Sequence, residues 1–301
     1  MALNSLLLTQ FLAVYRHRSL GKASRELGVS QPALSKAIRR LEDELRVPLF
    51  VRNSKGVEPT EFAETLSRRA IVVRNELDRA SLEVEELRTS ITGEIRIGVG
   101  PALAASLVSE VLGKFLSSRP QMRVRLIEGL FEALAEDLLS GVLDLAITTQ
   151  PNAPIAGELS FESLFTDSFL IAVSARHPLT KQRKILPRQL LEFPWVLPPR
   201  GGLLWQRVLD IFERNNLHPP QPQIETNSSG CIAAMLRSGP YVSLVPVHLI
   251  SREVERGEIA VLSVANMKIE RRVIVLQRAE STLLPAAQAF LSELQARLAD
   301  D

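Results

Sequence analysis

Ala23-Ser24-Arg25-Glu26-Leu27-Gly28-Val29-Ser30-Gln31-Pro32-Ala33-Leu34-Ser35 holds a helix end, a tight turn and a helix start in succession. Gly28-Val29 makes the connection. Ser30 is a favourable N-cap, and Pro32 stands in the first turn, where no helical N–H is needed. Upstream, Leu3, Leu7, Phe11 and Val14 recur at helical spacing, and a second short helix starts after Ser19 with Ala23 and Leu27 on it. Downstream, Leu34, Ile38, Leu41 and Leu45 form one apolar face, and Pro48 stops the helix near Arg46. Two helices joined by a glycine turn describe a helix-turn-helix.

The charges around this stretch favour a nucleic-acid partner. The whole chain of 301 residues sums to only +2, but the first sixty residues carry +5 and the remainder −3. Pro32, Lys36, Arg39 and Arg40 lie away from the apolar stripe of the third helix, with Gln31 and Ser35 on its flank. Gln suits an adenine edge, Ser either base type, and Lys or Arg guanine or phosphate. Leu49 to Val57 then reads as two short strands around a polar turn containing Arg52 and Lys55. Such a wing can reach the backbone or minor groove. The other reading of the same spacing is a plain helical subdomain with a solvated basic face.

The run Ser30-Gln31-Pro32-Ala33-Leu34-Ser35, then Leu41-Glu42, then Pro48-Leu49-Phe50-Val51-Arg52, resembles the LysR-type transcriptional regulators. The likeness is specific over about the first 65 residues and general over the rest. It implies that Gln31, Ser35 and Lys36 face base edges or nearby phosphates, that Arg52 is the wing arginine and that Thr60 lies near the backbone; Ser30, Pro32, Arg39 and Arg40 on the helix and Lys55 on the wing complete the candidate DNA-binding set. Thr60 could equally N-cap the following helix. The chain departs from the family pattern at Arg18, Arg46 and Ala63, where glycine is common, and at Ser24, where alanine is.

From Phe62 through Leu66, Ala70, Val73, Leu77, Ala80, Val84, Leu87 and Ile91, apolar residues recur every three or four positions. A single stripe on so long a helix predicts pairing with the same helix of another subunit. Packing along its own domain is the alternative. Gly93 is the expected stop. Beyond it, strands and helices alternate: Ile95–Val99, a helix over 103–118, Met122–Ile127, Phe131–Ser140 and Leu143–Ile147. Strands near Phe169–Val173, Trp195–Leu197, Gln223–Glu225 and Val242–Val245 follow, with helices near Leu203–Asn215 and Gly230–Arg237. The order predicts α/β architecture with a parallel sheet. Resemblance adds that Arg272–Leu276 and the helix from Pro285 return to the first lobe of a two-lobed, periplasmic-binding-protein-like effector domain. The expected division is a winged helix-turn-helix over 1–60, a linker and dimerisation helix over 61–91, and an effector domain over 92–301. Its first lobe is 92–162 with 269–301, and its second 163–268.

Ligands of open α/β sheets bind beyond strand carboxyl ends, beside helix N-termini. The candidate effector residues are accordingly Gly100, Pro101, Ala102, Leu103, Glu128, Thr148, Thr149, Arg200, Gly201, Asn227, Ser228, Val245 and Pro246. Arg200, between prolines and glycines, could grip a carboxylate or other small organic anion, or else pair with a protein carboxylate. Catalytic signals are weak. His17, His177, His218 and His248 are scattered and read as surface or loop residues. Gly98-x-Gly100 lacks the third glycine of a dinucleotide fingerprint. Cys231 stands alone, which excludes a disulfide scaffold and suits a small buried side chain. No cofactor, metal or transmembrane span is expected. The reading is a cytoplasmic regulator of double-stranded DNA, dimeric or by resemblance tetrameric, answering to a small molecule, with RNA polymerase admitted as a partner. The alternatives are an architectural DNA-binding protein with an α/β oligomerisation module and no effector, and an enzyme with an appended DNA-binding segment.

Overall fold

A computed structural model describes residues 3–53, 56–89, 94–201, 203–279 and 281–299. The chain divides into two compact units, Met1–Gly93 with Glu136–Val142, and Glu94–Ala135 with Leu143–Asp301.

The first unit opens with α1 (Ser5–His17), α2 (Leu20–Leu27) and α3 (Gln31–Leu45). Asn4, Ser19 and Ser30 cap their starts through side-chain oxygens. A hairpin follows, β1 (Phe50–Asn53) antiparallel to β2 (Gly56–Pro59), then the long α4 (Glu61–Thr89). Leu7, Phe11, Val14, Leu34, Ile38 and Leu41 fill the core. Leu3 precedes the helix and is exposed, while Leu8 and Leu12 are buried in its place. Leu45 is only half-buried, one residue before the chain turns away at Arg46.

The second unit is built on a nine-stranded sheet. It comprises β3 (Glu94–Val99), β4 (Arg123–Glu128), β5 (Leu145–Thr149), β6 (Leu159–Ser174), β7 (Trp195–Leu197), β8 (Ile224–Glu225), β9 (Val242–Pro246), β10 (Ile259–Leu262) and β11 (Ile269–Arg278). Their order is β4-β3-β5-β11-β6-β9-β7-β8, with β10 also on β6. Parallel pairing holds at β4-β3-β5 and at β9-β7-β8, but β6 and β11 run antiparallel to each other and to their neighbours. The expectation of a parallel sheet therefore holds in each half and fails in the middle. The helices are α5 (Pro101–Leu103), a π-helical stretch Ala104–Val108, α6 (Ser109–Ser117), α7 (Phe131–Leu139, of which residues from Glu136 on count with the first unit), α8 (Leu203–Arg214), α9 (Ser229–Ser238), α10 (Val247–Glu255) and α11 (Pro285–Ala299). Short 3₁₀ helices occupy Pro178–Lys181 and Pro187–Glu192.

Two hydrophobic cores give two lobes. One gathers Ile95, Ile97, Ile147, Val273, Phe115 and Phe290, the other Ile171, Trp195, Phe212, Val242, Leu244 and Ile211. The lobe boundary expected at 162/163 falls inside β6, a strand of 16 residues that runs from one core to the other. The strand expected at Phe169–Val173 is only its second half. Helix α10 and strand β10 had no counterpart in the sequence reading. Gly98 packs rather than cradles: a Cβ there would come within 2.6 Å of Leu143 and 2.8 Å of Leu134.

Candidate functional site

In the first unit, α3 begins at Gln31, and Leu34, Ile38 and Leu41 of its apolar stripe are buried. The opposite face is open. Ser30, Gln31, Pro32, Lys36, Arg39 and Arg40 are exposed, and Ser35 is half-buried on the flank. Arg40 donates from Nε to Glu44 at 2.9 Å, an exposed pair that contributes little to stability. The hairpin is held from both sides. Glu42 Oε1 accepts from Leu49 N at 2.7 Å and Phe50 N at 3.1 Å, and Val57 N donates to Arg18 O at 3.1 Å. Sequence reasoning did not find Glu42, although its place beside Leu41 on the quoted motif was the available signal. Lys55 lies outside the described residues, as does the side chain of Arg52.

Thr60 caps α4: its Oγ1 accepts from Ala63 N at 3.3 Å and donates to Pro48 O at 2.7 Å. Its hydroxyl is thus engaged within the fold. On α4, Ala63, Ser67 and Ala70 are buried, while Phe62, Val73, Leu77, Ala80 and Val84 are exposed. Leu66 is half-buried; Ile91, Gly93 and the side chain of Leu87 lie outside the described residues. The predicted stripe is therefore split, and most of its described residues face away from the unit's own core.

In the second unit a cavity of about 310 Å³ opens at the carboxyl ends of the strands. Gly100, Pro101, Ala102 and Leu103 line it, together with Thr148, Thr149, Arg200, Asn227, Val245 and Pro246. Three expected residues do not. Glu128 ends the edge strand β4, paired with Val99. Gly201 sits in the turn before α8 with φ +88. Ser228 is the N-cap of α9, its Oγ accepting from Cys231 N at 3.3 Å. First-turn residues of α7, α8 and α9 also reach the lining, as Phe131, Leu204 and Ser229. Helix starts present unpaired N–H groups and positive dipole ends, which favour an anion.

The charged lining differs from expectation. Arg200 is largely exposed, 3.5 Å from Glu225 and 5.5 Å over the Trp205 ring. Two arginines that the sequence reading missed lie deeper. Arg271 donates through Nε and Nη2 to Asp167 Oδ2 at 2.9 and 2.6 Å, and through Nη1 to Thr149 Oγ1 at 3.2 Å. Arg207 donates to Glu270 O at 3.4 Å, Gln150 O at 3.2 Å and Asn152 Oδ1 at 3.4 Å. Burial pushes both guanidiniums below their ordinary pKa. For Arg207 the charge of Arg271 adds to this and Asp210 opposes it, while Asp167 opposes it for Arg271. The apolar walls include Phe169, Leu197, Trp205, Ile232 and Leu249.

Among the described residues no three His, Cys, Asp or Glu side chains gather to hold a metal ion. No helix there is long and apolar enough to cross a membrane. His17 meets Glu26 on the surface, and His177 stands in a loop as the N-cap of a 3₁₀ helix, but buried. Cys231 is half-exposed rather than buried.

Two known sequence families match the chain. The bacterial regulatory helix-turn-helix protein, lysR family, covers residues 6–64, and the LysR substrate binding domain covers 88–299. The chain is 30% identical over 235 residues to the HTH-type transcriptional regulator GbpR of Azospirillum brasilense, spanning 78% of this chain and 69% of that one. It is 28% identical to the regulator PcaQ of Agrobacterium fabrum, over 85% and 83% of the two chains. Among solved structures, the LysR family regulator CbnR superposes with a TM-score of 0.70 at 19% identity, covering 99% of this chain and all of that one. A full-length OxyR variant from Pseudomonas aeruginosa gives 0.67 at 24%, over 99% and 95%.

Proposed function

The chain belongs to the LysR family of transcriptional regulators, and from that premise we propose that it reads operator DNA through α3 under the control of a small organic anion held in the cavity of its effector domain. The observation that carries this reading is the pairing of an open basic helix face with a separate built cavity, each on its own supporting core. Gln31, Ser35, Lys36 and Arg39 reach base edges or nearby phosphates, and the wing with Arg52 and Lys55 adds backbone contacts. A CbnR structure in complex with its target DNA supports the DNA partner by likeness of fold. The exposed stripe of α4 supports a homodimer through like helices, and a tetramer extends the same logic. The architectural alternative draws no support from relatives that are named as regulators.

Effector control requires that the ligand bind one arrangement of the lobes more tightly than another. The work done is binding, with no catalytic step, in the cytoplasm where the operator lies. RNA polymerase enters as the partner through which DNA occupancy changes transcription. The test is anisotropy of the full chain on duplexes from its own upstream region and on scrambled duplexes. Gln31→Ala is expected to lower affinity for the specific site by about 1–3 kcal/mol and leave scrambled DNA almost unchanged. Equal losses on both would remove its base-reading role.

A further inference from the structure

The cavity lining carries a buried cation that no carboxylate pairs with directly. Arg207 and Arg271 reach its lining from α8 and β11, and their residues are only 8% and 5% exposed. The buried carboxylate beside them, Asp167, is taken by Arg271. Arg207 meets only neutral oxygens, two backbone carbonyls and the Asn152 amide. Among the described residues no carboxylate lies within ion-pair distance of it, and Asp210, three residues along α8, acts on its charge only from further away. A guanidinium out of water is costly unless an anion answers it. Arg200 lacks this property, being solvated and already beside Glu225.

The surroundings restrict what can answer. Phe169, Leu197, Trp205 and Leu249 give apolar and aromatic walls. The volume of about 310 Å³ is at the small end of ligand pockets. Glu132, exposed at the rim, and the Glu225 beside Arg200 repel a second negative group.

We propose that Arg207, not Arg200, takes the anionic group of a compact organic acid with a single charge and an apolar or aromatic body. The assignment rests on the reading of this cavity as the effector site. The group sits where α8 donates to the end of β5 through Gln150 O and to β11 through Glu270 O, so it also meets residues from both lobes.

Full-length protein is titrated calorimetrically with benzoate, phenylacetate, cyclohexanecarboxylate and further monoacids of about six to ten carbons, the amide of each, phthalate and sulfate. At least one monoacid is expected to bind, with its amide, phthalate and sulfate weaker by about tenfold or more. Arg207→Gln should weaken that acid at least about tenfold, and Arg200→Ala by less than about threefold. If Arg207→Gln does not fold, Arg207→Lys keeps the charge without the fork and should still weaken the acid. Acid and amide binding alike, no monoacid binding up to about 10 mM, or binding lost with Arg200→Ala and kept with Arg207→Gln would each overturn the assignment. Operator affinity in the same samples separates the two readings. An uncharged cavity ligand that changes operator affinity upholds effector control and sinks the anion assignment. Acid binding through Arg207, with operator affinity indifferent to every bound ligand, does the reverse.

Discussion

Arg18 and Arg46 end α1 and α3 with φ of 50 and 58, in the left-handed region where a Cβ costs about 1–2 kcal/mol. The two arginines are not equivalent. Arg18 stacks its guanidinium 4.5 Å over Tyr15 and lies 3.7 Å from Glu64, whereas no ion pair or ring contact engages Arg46 among the described residues. Arg46→Gly is expected to stabilise the helix-turn-helix by about 0.5–1 kcal/mol after glycine's entropy cost, read as slower amide exchange in α1–α3. Arg18→Gly should gain less or nothing. His177 gives a second prediction. Its Nδ1 accepts from Leu179 N at 3.3 Å, its ring is buried, and burial lowers its pKa below the ordinary 6.5, with the Pro240 backbone opposing the shift. The unfolded chain therefore binds the proton more readily, and this contribution to stability is complete above about pH 6.5 and declines as pH falls below it. His177→Asn keeps a capping oxygen without titrating. Urea unfolding between pH 7.5 and 5.5 should show a smaller loss for it than for the native chain. Other single residues were legible only in part. Arg207 falls on the same helical stripe as Leu204 and Ile211, and Arg271 on the inward phase of Ile269, Val273 and Val275. A cation on a buried phase was the signal for both. Charge alone reads as solvent-facing, which hides that signal.

Helices were legible wherever their apolar spacing stayed regular, which is why α1, α2 and α3 lie where the sequence puts them. Strand β6 was not, because its first half, Leu159 to Thr166, mixes Ser, Glu and Thr among apolar residues and loses the alternation that marks a half-buried strand. That half packs only Leu164 and Phe165 against the first core and has no continuous buried face. Helix α4 shows the opposite case, a regular period that served two faces at once. Ala63, Ser67 and Ala70 meet the rest of the first unit, and Val73, Leu77 and Val84 do not. A helix of 29 residues is about 43 Å long, enough for a seam of several turns with a second copy. Leu77→Glu, at a site 49% exposed within one chain, should leave the fold intact and weaken the dimer at least about tenfold in sedimentation equilibrium. Ala70→Glu should instead unfold the first unit, since it forces an unpaired charge into a buried site. A monomeric Ala70→Glu chain with native circular dichroism would reverse the assignment of the two faces.

Across the effector domain, the two lobes share one sheet whose middle is the pair β6 and β11, in register from Ile269↔Phe169 to Arg278↔Leu159 with a bulge after Val273. Arg271 stands directly opposite Asp167 in that ladder, so the buried ion pair is also a cross-strand pair where the cores join. Continuity of the sheet means that neither lobe can lose its central strand without exposing the other's. They are therefore expected to unfold together. Trp195 and Trp205 both belong to one core, so their fluorescence follows that lobe, while amide exchange in β3 and β5 follows the other. The two signals should lose native character at the same urea concentration. Asp167→Asn would strand Arg271 next to Arg207 and should cost about 3–5 kcal/mol, moving both signals by the same amount. Replacing both partners, Asp167→Leu with Arg271→Leu, should recover most of that loss, because the penalty comes from the orphaned charge more than from the absent pair. Signals that part in Asp167→Asn, with tryptophan fluorescence lost first, would mean that the shared strands do not bind the lobes into one cooperative unit.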